Sequence, residues 1–221
     1  MNPFSDPQAV ARYAEGAPRN VPGYYAMQRM TALLLAERVP EDARVLVLGA
    51  GGGLELKTFA EARPGWSFDG VDPSDEMLKL AQRILGPFAS RATLHQGYIS
   101  DAPIGPFDAA TCLMTLHFLT LEERQRTTAE VHRRLKPGAP FVVAHFSIPQ
   151  DERSVWLSRF AAFVVDSGGD PDKAANARAA IDTQLTILTP EQDEVILREA
   201  GFSNVSLFYA GFTFRGWVGY A

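Results

Sequence analysis

Apolar residues in this chain fall into short unbroken runs separated by amphipathic stretches. Val45-Leu46-Val47-Leu48 is apolar throughout and reads as a strand buried on both faces. Gly65–Val71, Ala92–Gln96, Asp108–Leu113 and Phe141–Phe146 read as further strands, the last apolar except for His145 near its end. Between them the apolar spacing becomes helical. Tyr24–Val39 places Met27, Met30, Leu33, Leu34 and Leu35 on a helix that Pro40 ends. Leu54–Ala62 follows the first strand as a helix. Asp75–Leu85 follows the second, with Ser74 or Asp75 placed to cap it. Leu121–Leu135 is long, rich in Glu and Arg, and stopped by Pro137-Gly138. A short helix over Asp6–Glu15 precedes a break at Arg19–Gly23.

This alternation of strand and helix predicts a mostly parallel sheet covered on both faces. After the fifth strand the pattern changes. Asp151–Asp182 is helical, interrupted at Ser167-Gly168-Gly169-Asp170-Pro171. Thr189-Pro190 starts another helix, which Gly201 ends. Val205–Tyr209 and Phe212–Val218 are aromatic and β-branched and read as a closing antiparallel pair. The expected organisation is one domain over 1–221, with residues 1–40 as an N-terminal helical lid and 151–185 as a helical insertion.

Composition narrows the function classes. With 221 residues, 46% of them hydrophobic, the chain can bury a core and is not disordered. Its formal charge is −5 and its Lys and Arg are scattered, so no basic run points to nucleic acid. A single cysteine, Cys112, excludes an intramolecular disulfide and multi-thiolate metal sites. Met1–Asp6 lacks a charged-then-apolar leader pattern, and no apolar run reaches membrane-spanning length, so a cytoplasmic location is expected. The aromatic C-terminal strands read either as core or as a homodimer contact.

The chemistry concentrates after the first strand. Gly49, Gly51 and Gly53, with Ala50 between, let the chain turn tightly into a helix and let a ligand approach the backbone. Asp72 ends the second strand, roughly twenty residues on, where an acidic side chain can accept hydrogen bonds from a ribose. These features describe a pocket for a nucleoside-bearing cofactor without saying which one.

The wider pattern resembles the class I S-adenosylmethionine (SAM) methyltransferases. Gly49-x-Gly51-x-Gly53 is similar to that family's first motif, and Gly70-Val71-Asp72-Pro73-Ser74-Asp75-Glu76-Met77-Leu78 to its second. Pro106-Phe107-Asp108 resembles its entry into strand four, and Leu135-Lys136-Pro137-Gly138 its turn into strand five. The resemblance implies an α/β, Rossmann-like, doubly wound, seven-stranded sheet with a C-terminal antiparallel pair. It implies SAM as cofactor and a small-molecule acceptor. Methyl transfer needs neither a nucleophilic residue nor a metal. Within the family, Arg19-Asn20-Val21-Pro22-Gly23-Tyr24 and Ala200-Gly201-Phe202 resemble the bacterial carboxy-SAM synthases, which use prephenate in tRNA wobble-uridine modification. That branch implies cofactor contacts from Tyr24 and Arg178. A SAM-binding protein without turnover is the third reading.

The same framework places the remaining candidates. Pro73 starts the turn that frames the adenine, and Met77 packs under the adenine or in the core. Tyr98 follows strand three and stacks on the base, hydrogen-bonds through its hydroxyl, or lies on the surface; Ile99 beside it walls the adenine. Leu113 leaves strand four near the sulfonium. Val47 stands where many family members carry an acidic residue, which leaves Glu55 as a candidate partner for the methionine ammonium. His117 follows strand four, and its ordinary pKa of about 6.5 suits a general base. His145 ends strand five and is the second catalytic candidate. The bland reading of each is a histidine bonded within the core.

Overall fold

A computed structural model of the protein describes residues 6–221. Five parallel strands, β1 (Arg44–Leu48), β2 (Ser67–Asp72), β3 (Ala92–Gln96), β4 (Ala109–Leu113) and β5 (Pro140–Phe146), are followed by β6 (Ser203–Gly211) and β7 (Phe214–Tyr220). They form one seven-stranded sheet in the order β3-β2-β1-β4-β5-β7-β6. β7 runs antiparallel to β5, and β6 antiparallel to β7. The order reverses between β1 and β4, and ligands of open α/β sheets bind in the crevice beyond the strand ends at such a point. The expected fold class is the one observed.

The sheet is buried on both sides because its strands alternate two apolar faces. On one face, Val45, Val47, Val142, Ala144 and Phe146 pack with Met27 and Leu35 of α2 (Tyr24–Ala36), Leu56 and Phe59 of α3 (Leu54–Ala62), and Phe160 of α6 (Arg153–Asp166). On the other, Leu46, Leu48, Phe141, Val143 and Trp217 pack with Val131 of α5 (Leu121–Arg133) and Leu197 of α8 (Pro190–Glu199). Phe214, Trp217 and Tyr209 of the closing strands are buried in these cores, so most of the C-terminal aromatic surface is used internally.

Two further helices matter for the site. α1 (Pro7–Asn20) runs five residues past its expected end, with Pro18 inside it. Near the C-terminus of a helix a proline removes one intrahelical bond, and Ala17 still packs on the core there. α1 docks on α4 (Asp75–Leu85) through a cluster of Val10, Tyr13, Met77, Leu80 and Ile84. α7 (Pro171–Gln184) is the second arm of the insertion and buries only Ala174. It is tied to α6 by Arg153, whose Nε lies 2.6 Å from Asp182 Oδ1. No helix among the described residues is long and apolar enough to cross a membrane.

Candidate functional site

The glycine turn is left-handed at Gly49 (φ 75°), Gly51 (φ 46°) and Gly53 (φ 76°), a conformation that strains other residues. Packing adds a second requirement at both ends. A Cβ on Gly49 would overlap the Thr115 side chain across the strand-order reversal. One on Gly53 would lie 2.7 Å from Ala81 Cα of α4. The amides of Gly49 and Ala50 donate to Val71 O at 2.8 and 3.0 Å, which locks the turn onto β2.

Asp72 ends β2 beside this turn. Its Oδ2 accepts from the Gly51 amide at 3.0 Å and its Oδ1 from the Ser74 amide at 2.9 Å. Burial raises its pKa, and the Ser74 and Gly51 amides oppose that rise. The Gly51 amide is therefore engaged by Asp72, where the sequence suggested that amides beside it contact a ligand. Its effect is to aim the carboxylate. Each carboxylate oxygen keeps a lone pair, and two fixed acceptors on one carboxylate fit the vicinal hydroxyls of a ribose. Pro73 follows directly, and its carbonyl accepts from Gln96 Nε2 at 3.4 Å.

The other expected adenine contacts divide. Ile99, in the turn after β3, and Leu113, the last residue of β4 and expected near the sulfonium, are both buried. Met77 is buried under the turn, its Cε 3.3 Å from the point a Cβ on Gly51 would take. Tyr98 is 61% exposed. Its amide donates to Asp101 Oδ2 at 2.8 Å, so Asp101 caps the local turn and the Tyr98 ring faces outward. Glu55 lies beneath the turn, where its Oε1 accepts from Thr111 Oγ1 at 2.6 Å. Burial pushes its pKa to about 8, so at pH 7 it is chiefly a neutral acid and not a fixed anion for an ammonium.

Tyr13 was not singled out from the sequence. α1 lays its ring over the turn, with Cδ1 2.8 Å from the position of a Cβ on Gly52. Burial, then Glu55 and Asp72, raise its pKa to about 12, and its side chain bonds that of Tyr24. Tyr24 is itself buried and bonds Gln28, whose Oε1 accepts from Thr58 Oγ1 at 2.7 Å. The Tyr209 hydroxyl donates to Pro22 O at 2.5 Å and pins the joint between α1 and α2 to the sheet. The only sequence signal for Tyr13 was its spacing with Val10 and Ala17 on one helix face.

A cavity of about 340 Å³ opens beneath α1, α6 and α7 at the ends of β4 and β5. Tyr13, Tyr24, Met114, His117, Phe146, Phe160, Ile181, Leu185 and Phe214 are among its walls. No Asp, Glu, Lys or Arg is among the described residues that line it. Met114 holds φ at 58°, and its amide donates to Ala144 O at 2.6 Å. Left-handed backbone at a non-glycine residue costs of order 1 kcal/mol and clusters at ligand sites.

His117 lines this cavity, as expected, but in a different role. Its Nδ1 accepts a long bond, 3.4 Å, from the Phe146 amide. An Nδ1 that accepts leaves the proton of the neutral ring on Nε2. Burial, then His145 and Arg124, hold the His117 pKa well below its usual value. The ring is thus neutral, and with Nδ1 facing the Phe146 amide its proton lies on Nε2, an arrangement that suits hydrogen-bond donation and weighs against the general-base reading.

His145 is corrected more fully. In a strand successive side chains alternate faces, so His145 points away from the cavity that Phe146 walls. It lies fully buried, its Nε2 3.1 Å from Asp193 Oδ1 and off the line of a hydrogen bond. The same Oδ1 accepts from Arg124 Nη1 at 2.7 Å, and Arg124 Nη2 reaches Thr186 O at 2.5 Å. This is a buried ionic cluster joining α5, α8 and β5, with no wall in the cavity.

Arg178 is likewise turned aside. Positions 177, 180, 181 and 184 of α7 face the cavity. Arg178, one residue and about 100° around the helix from position 177, faces an open groove against α6, where its Nη2 donates to Ser154 Oγ at 3.2 Å. Tyr24 and Arg178 are not brought together.

Comparison with known proteins agrees with this geometry. Residues 45–138 match the methyltransferase domain family. A carboxy-S-adenosyl-L-methionine synthase of Campylobacter fetus is 22% identical over 97% of this chain and 93% of its own length. The synthase of Chromohalobacter salexigens is 26% identical over 97% of this chain and 82% of its own length. Among solved structures, a candidate O-methyltransferase from Nostoc punctiforme has a TM-score of 0.71 at 22% identity, covering 96% of this chain and 60% of that one. Human N-acetylserotonin methyltransferase in complex with SAM has a TM-score of 0.61 at 16% identity, covering 95% of this chain and 57% of that one. The chain thus spans nearly the full length of the first relative but only about three-fifths of these two structures. With the glycine turn and Asp72 in place, these matches give the chain a methyltransferase domain at residues 45–138, a fold shared with methyltransferases of known structure, and a likeness to SAM-using enzymes over nearly its whole length.

Proposed function

We propose that the protein transfers the methyl group of SAM to a small molecule held in the cavity beneath α1 and α7. The observation that carries this reading is the adjacency of two differently built sites. One is a polar cofactor turn with Asp72 aimed by two amides. The other is an uncharged cavity at the ends of β4 and β5. When bound, SAM supplies an activated methyl carbon, whose transfer leaves S-adenosylhomocysteine, a methylated acceptor and a proton. Asp72 would hold the ribose hydroxyls, and Met77, Ile99 and Leu113 would supply apolar contact for the rest of the nucleoside. The chain's own task is positioning. α1 covers the turn through Tyr13, and the aromatic walls exclude water, so that acceptor and methyl carbon are held in line.

A carboxy-SAM synthase activity is the second reading, supported by the names of the curated relatives and by Tyr24 in the cavity wall. The outward placement of Arg178 and the uncharged walls weigh against a prephenate carboxylate there. Mass spectrometry of the protein incubated with SAM and a panel of small acceptors tests both. S-adenosylhomocysteine with a methylated acceptor supports methyl transfer. A carboxylated cofactor formed only with prephenate supports the synthase. Tight SAM binding with neither product would leave a binding protein.

A further inference from the structure

The walls of the cavity say which acceptors can enter it. We infer that it takes an uncharged, predominantly aromatic molecule carrying one lone-pair-bearing atom, which a hydrogen bond from His117 Nε2–H holds in place. This rests on the methyl-transfer reading and deepens it.

The apolar part is a preformed aromatic box. Phe146 stands at its centre, with ring centroids 4.4 Å from Phe214, 5.5 Å from Phe160 and 5.0 Å from His117. Such edge and tilted arrangements are the favoured aromatic geometries. At about 340 Å³ the cavity lies at the small end of ligand pockets, which are mostly apolar with a few placed polar groups.

The nearby cations are engaged elsewhere. Arg215 Nη1 donates to Phe212 O and Phe214 O while its guanidinium lies over Trp156. Arg124 is paired with Asp193 on the opposite face of the sheet. A carboxylate entering the cavity would lose its hydration without meeting a counter-charge, a heavy penalty in an apolar site.

Asn20 and Gln184 also line the cavity but are exposed to solvent, so His117 is its buried, fixed donor. The Phe146 amide occupies Nδ1, so the remaining proton lies on Nε2. The titratable groups around the ring are the Tyr13 and Tyr24 hydroxyls, which share the cavity, and His145 and Arg124 behind it. The latter two disfavour protonation of His117, and both tyrosine pKa values are raised, so the donor keeps one charge state from pH 6 to 8.

The test uses the full chain saturated with S-adenosylhomocysteine, whose own binding is measured first by calorimetry. Three probes of similar shape follow: 2-methoxynaphthalene, 2-ethylnaphthalene and 2-naphthoate. The methoxy compound should bind about five- to ten-fold more tightly than the ethyl compound, the span of one net hydrogen bond. It should bind at least about 100-fold more tightly than the carboxylate, with no change from pH 6 to 8. His117→Phe should erase the methoxy–ethyl difference, and His117→Gln, which keeps a donor near the Nε2 position, should preserve it. Failure to bind S-adenosylhomocysteine would sink the cofactor reading itself. Intact cofactor binding with the carboxylate as tight as the neutral rings, with no neutral ring bound, or with methoxy and ethyl equal, would overturn this inference alone. If His117→Phe no longer binds the cofactor, the three-probe comparison on the native chain and on His117→Gln decides.

Discussion

His117 and His145 stand at the same end of the sheet, one just past β4 and the other near the end of β5, and they belong to opposite sides of it. His117 shares its face with Phe146 and the cavity, where burial without a carboxylate partner keeps the ring neutral. His145 shares its face with Trp217, Asp193 and Arg124, in a closed ionic cluster. Position along a strand brings a residue to the ligand end of the sheet. The parity of that position decides whether it meets ligand or core.

The largest expected effect breaks the closed side. Asp193→Ala leaves Arg124 buried without its carboxylate, and losing one member of a buried pair costs about 3–5 kcal/mol. Urea denaturation should show that loss, while the folded fraction binds S-adenosylhomocysteine normally. Loss of activity at unchanged stability would instead place this cluster in the chemistry.

A pH-dependent effect sharpens the open side. Glu55 has its folded pKa raised by burial to about 8. The group ionises more easily unfolded, at its ordinary pKa of about 4.3. Its favourable contribution is therefore fully present below that value and lost as pH rises through about 8. Glu55→Gln should flatten this part of the stability–pH profile between about pH 4.5 and 8 and make the protein more stable than wild type at the upper end. A parallel profile for the two proteins would show that Glu55 ionises freely in the fold.

The smallest effect is at Arg178. Arg178 is partly buried and its Nη2 bonds Ser154 of α6, so its replacement by Ala should change stability by no more than about 0.5 kcal/mol. Cofactor affinity should stay within about two-fold. A ten-fold loss of SAM affinity would show that α7 rotates to bring Arg178 inward and would revive the synthase reading.

Much of the cofactor half was legible in the sequence because its parts are local. The left-handed glycines, the strand before them and Asp72 after β2 lie within one βαβ unit, and their spacing carries the geometry. The acceptor half was not legible. Tyr13 reaches the turn only because α1 docks on α4, and the cavity exists only where α1, α6 and α7 meet. Whether Arg178 or position 177 faces inward depends on a 100° rotation about α7 that no motif records. His145 differs: the alternation of Ala144, His145 and Phe146 already placed it opposite its neighbours. Tyr98 sits in a turn that Asp101 caps through the Tyr98 amide, a local arrangement that strand periodicity does not record and that leaves the ring exposed.

The central claim is that Asp72, aimed by the Gly51 and Ser74 amides, holds the ribose of SAM. Calorimetry of SAM binding to wild type and to Asp72→Ala, with circular dichroism to confirm that both are folded, tests it directly. One site per chain in wild type and at least a roughly ten-fold weaker affinity in the variant, the span of a lost charge-assisted hydrogen bond, is the expected result. Equal affinity in the two proteins, or no binding to wild type, contradicts it.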